Sequence, residues 1–321
     1  MTQTDKIKLG ISSCLLGAAV RFDAGHKRNT YITDTLGQYF DFQPICPEAE
    51  AGLGIPRPPI HLQQVNGQVR VVDVKNNDID RTEQLQRCSQ QLMAQLDQAL
   101  CGYILKKDSP SCGMERVKVY GECGKQAPAE RIGTGIFAAQ LKQQCPNLPL
   151  EEEGRLVDPI LRENFIQRVY VYHRWKHLLT QGLTAQDLVD FHTRHKYIIM
   201  AHDQDALRQL GHLVAQAGCC DLANLQQQYI SLLMQTLSKR ATRGRHANVL
   251  QHLVGHLRDK LDQGDREELL ATIAHYQQGY VPLIVPITLI KHHFRRHPDP
   301  YILQQHYLNP HPGELMLRNQ V

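Results

Sequence analysis

The chain has 321 residues, 42% of them hydrophobic, with 36 Lys and Arg against 32 Asp and Glu for a formal net charge of +4. That composition excludes a disordered or fibrous chain and is long enough for two domains. The longest apolar run, Val281 to Ile290, is too short to span a bilayer and is broken by Pro282 and Pro286, so no membrane role is expected. The polar start, Met1 to Leu9, has no signal-like apolar core, and a cytoplasmic protein is expected.

Cysteine, histidine and charge divide unevenly. Seven of nine cysteines precede residue 156, whereas fifteen of seventeen histidines follow it. Up to Arg155 there are 18 basic and 18 acidic side chains, and beyond it 18 and 14, so the positive excess lies in the second half. An odd number of cysteines without a secretion signal argues for thiols or metal ligands rather than a disulfide framework. Two domains are expected, 1–155 and 156–321.

In chain order, Ile7 to Ile11 reads as a strand ending at Cys14. A helix is expected from Thr30 to Phe40, then a short strand, Phe42 to Ile45, ending at Cys46. Cys46-Pro47-Glu48 places a carboxylate two residues from a thiol, and Arg57 stands between prolines, preset to meet an anion or a carbonyl. Asn66-Gly67 predicts a hairpin within Val65 to Val74. A helix from Thr82 to Leu100 carries Leu85, Cys88, Leu92 and Leu96 on one stripe. A third strand, Tyr103 to Leu105, leads through a polar loop to Cys112. Gly133-Thr134-Gly135 opens a further helix to Gln144; its free amides would suit an anion, and a plain strand-to-helix turn is the alternative. A last strand is expected near Leu148 to Glu151. The fold class is therefore α/β with a mostly parallel sheet, followed by an all-α bundle.

Cys14, Cys46 and Cys112 each lie just past a strand, where parallel sheets gather their ligand-binding loops. Three thiolates meeting there would form a soft-metal site. His26 and His61 are the only histidines of this half and it has no Cys-x-x-Cys pair, which argues against closed structural zinc. Cys123 is a distant candidate for a fourth ligand. Glu48 could handle a proton, and Ser109 or Ser111 could supply a hydroxyl.

The second half shows helical periodicity over Leu161 to Leu179, Thr184 to Met200, Gln204 to Ala217, Asp221 to Ser238, Ala247 to Leu261 and Arg266 to Gln278. Its basic and aromatic residues are clustered. His195, Lys196, Lys239, Arg240, Arg243, Arg245, Arg295 and Arg296 are the candidate contacts to RNA phosphates; a solvated helix face is the alternative for any one cluster.

The motifs Ser13-Cys14-Leu15-Leu16-Gly17, Val20-Arg21-Phe22-Asp23, Cys46-Pro47-Glu48, Pro56-Arg57, Ser109-Pro110-Ser111-Cys112-Gly113 and Gly133-Thr134-Gly135 resemble the thiouracil desulfidase family. His195-Lys196-Tyr197, Asn248-Val249-Leu250-Gln251-His252 and Pro282 to Leu289 resemble YbgA-type helical domains. The two together resemble the RudS-type enzymes that remove sulfur from 4-thiouridine in tRNA. The resemblance implies a 4Fe-4S cluster on Cys14, Cys46 and Cys112, with the open iron taking the thiocarbonyl sulfur. It further implies Glu48 as acid/base, Ser109 as catalytic hydroxyl, and tRNA containing 4-thiouridine as partner, with no obligatory protein partner. Phe22 stands where the family commonly has tyrosine, and Ala24 where it commonly has glycine. A desulfidase of free thiopyrimidines and a non-catalytic iron–sulfur protein that binds RNA or senses redox state are the rival readings.

Overall fold

The structure is a computed structural model that describes residues 6–122, 124 and 128–320; Cys123 lies outside them. The chain packs as two units, dividing between Val157 and Asp158.

The first unit carries two four-stranded sheets. In one, β1 (Ile7–Ser12), β2 (Phe40–Ile45), β5 (Tyr103–Leu105) and β8 (Leu150–Glu152) are all parallel, in the order β2-β1-β5-β8. Leu9, Ile11, Tyr103, Ile104 and Leu105 are buried almost completely, as expected of strands covered on both faces. Gly10 is required where β1 passes β5: an added Cβ would lie 2.1 Å from the Tyr103 ring. Order reverses at β1, with β2 on one side and β5 on the other, which is the crevice where such sheets bind ligands.

The second sheet is mixed and was not anticipated. It runs β4-β3-β6-β7, from β3 (Ile60–Val65), β4 (Gln68–Asp73), β6 (Val117–Tyr120) and β7 (Ala129–Gly133). β3 and β4 form the hairpin expected at Asn66-Gly67 but enter it earlier, at Ile60. Asn66 and Gly67 both take positive φ, as a two-residue primed turn requires.

Two helical expectations of this unit shift. Residues 30–40 form only a wide turn, Tyr31–Thr35, and a short tight helix, Leu36–Gln38, before β2 begins at Phe40. The Asn29 side chain accepts from the Ile32 amide and the Thr33 hydroxyl donates to the Asn29 carbonyl, local bonds that compete with a regular α-helix. Helix α2, after the four-residue α1 (Pro47–Glu50), spans Thr82–Gln95 and stops short of Leu100. There Leu96 turns extended and Asp97 accepts from the Ala99 amide. Helix α3 is Ile136–Gln144.

The second unit is helical: α4 (Pro159–Thr180), α5 (Ala185–His202), α6 (Gln204–Ala215), α7 (Leu222–Ser238), α8 (Arg243–Gly255), α9 (Gln263–Gln278), α10 (Ile284–Arg296) and the single turn α11 (Pro300–Leu303). Helix α8 starts four residues earlier than periodicity suggested, because Thr242 caps it by accepting from the Arg245 amide. From Ile284 on, the Val281 to Ile290 run opens α10, with Pro282 lying before it; Pro286 falls in the first turn, where an amide has no intrahelical partner to lose. The core is built on Trp175, which meets Phe191 at 5.2 Å and stacks on Tyr229 at 5.6 Å. Among the described residues no helix is long and apolar enough to cross a membrane.

Candidate active site

Cys14 follows β1 in the tight helix Ser13–Leu16, Cys46 is the N-cap of α1 directly after β2, and Cys112 lies within the loop between β5 and β6. All three line one cavity of about 330 Å³, together with Glu48, Arg57 and Ser109. Cys14 and Cys112 are buried, Cys46 is half-buried, and none is in a disulfide. Arg21, Lys27, Lys106 and Lys107 stand around the same cavity.

Glu48 is held from two sides. Arg57, buried under β2's loop, donates to Glu48 Oε2 from Nη2 at 2.6 Å and from Nε at 3.1 Å. Its remaining nitrogen, Nη1, donates to the Val20 and Gly54 carbonyls at 2.9 and 3.1 Å. Every nitrogen of the guanidinium is thus committed inside the protein. Arg57 was expected to meet an anion or a carbonyl, and it meets both: the Glu48 carboxylate and the Val20 and Gly54 carbonyls, an arrangement that fixes Glu48 Oε2. On the other side, the Ser111 hydroxyl donates to Glu48 Oε1 at 2.9 Å.

Two serines competed for the hydroxyl role, and exposure separates them. Ser111 is fully buried and is absent from the cavity wall. Ser109 Oγ stands on the wall, 3.5 Å from Glu48 Oε1, and accepts the Ser111 and Cys112 amides at 3.2 and 3.1 Å. With both lone pairs engaged, its hydrogen is left to donate toward Glu48 or a bound molecule.

Burial pushes all three thiols above their ordinary range, Cys112 furthest. Cys46 raises Cys14, and Cys14 and Cys46 together raise Cys112. The Ala49 and Glu48 amides pull Cys46 back, and the Ser12 hydroxyl does the same for Cys112. Three thiols that disfavour one another's charged forms are relieved by a shared cation. Among the described residues no three His, Cys, Asp or Glu side chains lie close enough to hold a single ion. Three free thiols on the wall of one cavity are the donor type that iron–sulfur clusters take, so the donor set fits such a cluster.

Gly133 and Gly135, expected to bind an anion, do not face this cavity. Gly133 ends β7, where a Cβ would lie 2.7 Å from Leu62 and Val119 side-chain atoms. At Gly135 a Cβ would lie 2.5 Å from the Ser111 carbonyl and 2.8 Å from the Cys112 amide. The amides at the start of α3 are already taken: Gly135 donates to Gly113, Ile136 to Pro110, and Phe137 and Ala138 to Ser111. These glycines let helix α3 clamp the loop that carries Ser109 and Cys112.

In the helical unit, Lys239, Arg240, Arg243 and Arg245 lie exposed along the α7–α8 connection, and Arg295 and Arg296 are exposed at the end of α10. Lys196 is half-buried. Some of these cations have internal partners: Lys239 pairs with Asp203 at 2.7 Å, Arg243 donates to the Tyr276 carbonyl at 3.0 Å, and Arg245 bonds the His202 carbonyl. His195 is withdrawn from the set. It is 1% exposed, bonds the Phe191 carbonyl through Nδ1 at 2.7 Å and stacks on the Phe191 ring. Leu188, Phe191, His195 and Ile198 recur at helical spacing and are all buried, and that stripe was the overlooked signal. Also missed were the Arg57–Glu48 pairing, which no sequence pattern announces, and the cationic rim at Lys27, Lys106 and Lys107.

Comparison with known proteins agrees with this division. The family described as 2-thiouracil desulfurase matches residues 9–153, and a family of unknown function, DUF1722, matches residues 196–312. The uncharacterized protein YbgA of Escherichia coli (strain K12) is 34% identical over 153 residues, which cover 47% of this chain and 90% of YbgA. A solved structure described as a 4Fe-4S-dependent thiouracil desulfidase, TudS, is 29% identical, covering 48% of this chain and 95% of its own, with a TM-score of 0.38. The chain belongs to the YbgA family, and its first half matches the model of the 2-thiouracil desulfurase family.

Proposed function

We propose that this protein removes sulfur from 4-thiouridine in tRNA, leaving uridine and hydrosulfide, with a 4Fe-4S cluster on Cys14, Cys46 and Cys112. The observation that carries the reading is the convergence of those three thiols with Glu48 and Ser109 on one cavity. When bound, the cluster supplies a Lewis acid with an affinity for thiocarbonyl sulfur.

The chain's own groups then account for a hydrolysis without net redox change: water adds to C4 of the base, and sulfur leaves as hydrosulfide. Glu48 Oε1 takes the proton of the attacking water, while Arg57 fixes Oε2 and so aims Oε1. Ser109 Oγ donates its hydrogen at the reacting atoms, and its bonds from two amides hold it there. On the rim, Arg21 and Lys106 already pair with Asp23 and Glu153, and the exposed Lys27 and Lys107 favour an anionic, nucleotide-like substrate over a neutral base. The exposed cations of α7–α8 and α10 suit RNA phosphates. The description 2-thiouracil desulfurase favours a second reading, in which the substrate is a free thiopyrimidine.

The test uses protein purified without oxygen. Iron and sulfide are quantified, and thiolated tRNA is incubated with it while the 4-thiouridine absorbance is followed. Loss of the band with the wild type and its persistence with Cys112→Ala supports the reading. Persistence with a fully loaded wild type, alongside turnover of thiouracil, selects the free-base enzyme. Replacing Lys239, Arg240, Arg243 and Arg245 by alanine should weaken tRNA binding and flatten its salt dependence, with turnover of free thiouracil retained.

A further inference from the structure

A second cavity, of about 310 Å³, lies against the first and shares Pro59, Ile60, Asp108 and Pro110 as a common wall. It opens over the mixed sheet, and none of the residues named so far in catalysis lines it. Its floor is aromatic and apolar: Tyr120 meets His61 edge to face at 4.9 Å, beside Leu62 and Val74. Two cations complete it. Arg131, on β7, is anchored to Asp108 Oδ1 at 2.7 Å and to the Arg116 carbonyl at 3.4 Å. Lys118, on β6, is exposed and has no hydrogen-bond or ion-pair partner among the described residues.

We propose that this second cavity receives the nucleotide adjoining the one whose base enters the first. Resting on the desulfidase reading, this makes the preferred substrate a chain of at least two nucleotides rather than a mononucleotide. The shared wall places the two cavities side by side, so a group joined covalently to the reacting nucleoside enters the second without leaving the first. A flat base needs an aromatic or apolar floor, and the phosphodiester beside it needs a cation. Tyr120 and His61 supply the floor, and Lys118 and Arg131 supply the charge. The volume falls in the range of small-molecule pockets and matches one nucleoside rather than a longer segment. Lys118 is the informative residue, because Arg131 is already neutralised by Asp108.

The experiment measures binding of uridine 5′-monophosphate and of the dinucleotide pUpU to the full-length protein by calorimetry. These probes carry no sulfur and do not turn over. The expected dissociation constant for pUpU is about tenfold lower than for the mononucleotide, as one stacked base gives. In Lys118→Glu, and separately in Tyr120→Leu, the ratio should fall toward one. Neither residue lines the first cavity, and the exposed Lys118 gives a variant that keeps the strand intact. Equal affinities in the wild type, or a preference that survives both substitutions, overturns the proposal. A dinucleotide preference in protein that leaves 4-thiouridine untouched supports the second cavity and overturns the 4-thiouridine reading instead.

Discussion

Glu48 is the residue on which the first cavity turns, and its two oxygens have different neighbours. Oε2 belongs to Arg57, whereas Oε1 faces Ser111 and the cavity wall at Ser109. The fork of a guanidinium fixes a carboxylate in a way that a lysine ammonium does not. Arg57→Lys is therefore expected to lower kcat at least tenfold with little change in KM, because aim is lost while charge is kept. Glu48→Gln should lower kcat by about 100-fold or more. Ser109→Ala should cost more than Ser111→Ala, since only Ser109 stands on the wall. Iron content must stay at the wild-type level in each variant; a loss of iron alongside activity would assign these residues to cluster retention.

At the scale of elements, helix α3 holds the reactive loop. Its first amides donate to the carbonyls of residues 110, 111 and 113, and Gly135 allows the backbones to touch. Gly135→Ala would place a methyl 2.5 Å from the Ser111 carbonyl, so the loop must move. A destabilisation of about 1–3 kcal/mol is expected, read from the urea midpoint, together with reduced iron uptake on reconstitution. Unchanged midpoint and uptake would show that the clamp is dispensable. The strands before the three cysteines were legible because their apolar runs are short, continuous and followed by turns. The mixed sheet was not: β6 and β7 contain Lys118, Glu130 and Arg131 on exposed positions, and β6 is only four residues long. At Gly133-Thr134-Gly135 both readings stood open, because a glycine that admits a ligand and one that admits a neighbouring backbone look alike in sequence. His195 was misread for the converse reason, that a polar residue on an apolar stripe was assigned by its type and not by its phase.

For the whole molecule, the histidine-rich half gives stability a pH dependence of known sign. Burial holds His195 and His202 below the ordinary histidine range, His192 and His306 at about 4, and His246 at about 3. Arg174 beside His195 and His306, Lys196 beside His192 and Arg318 beside His246 act in the same direction. These groups are neutral when folded, so the unfolded chain binds more protons as pH falls below about 6.5. Stability is full above that range and declines on acidification, by about 1.4 kcal/mol per pH unit for each such proton. Trp175, the single tryptophan, is buried in the helical core and reports this unit alone. Its urea midpoint should be lower at pH 5.5 than at pH 7.5, and an invariant midpoint would mean that these histidines titrate normally. The strand order β2-β1-β5-β8 also has a consequence in time. The thiols at 14, 46 and 112 meet only after three parallel strands have paired across long connections, and α3 and β8, which brace the last of them, are made later still. Such pairing is slow to form. A nascent chain leaving the ribosome therefore presents two of the three thiols, Cys14 and Cys46, for many residues of synthesis before the third. A cluster held by all three thiols, as proposed, would therefore have to be delivered to the finished domain, after translation has passed Glu152.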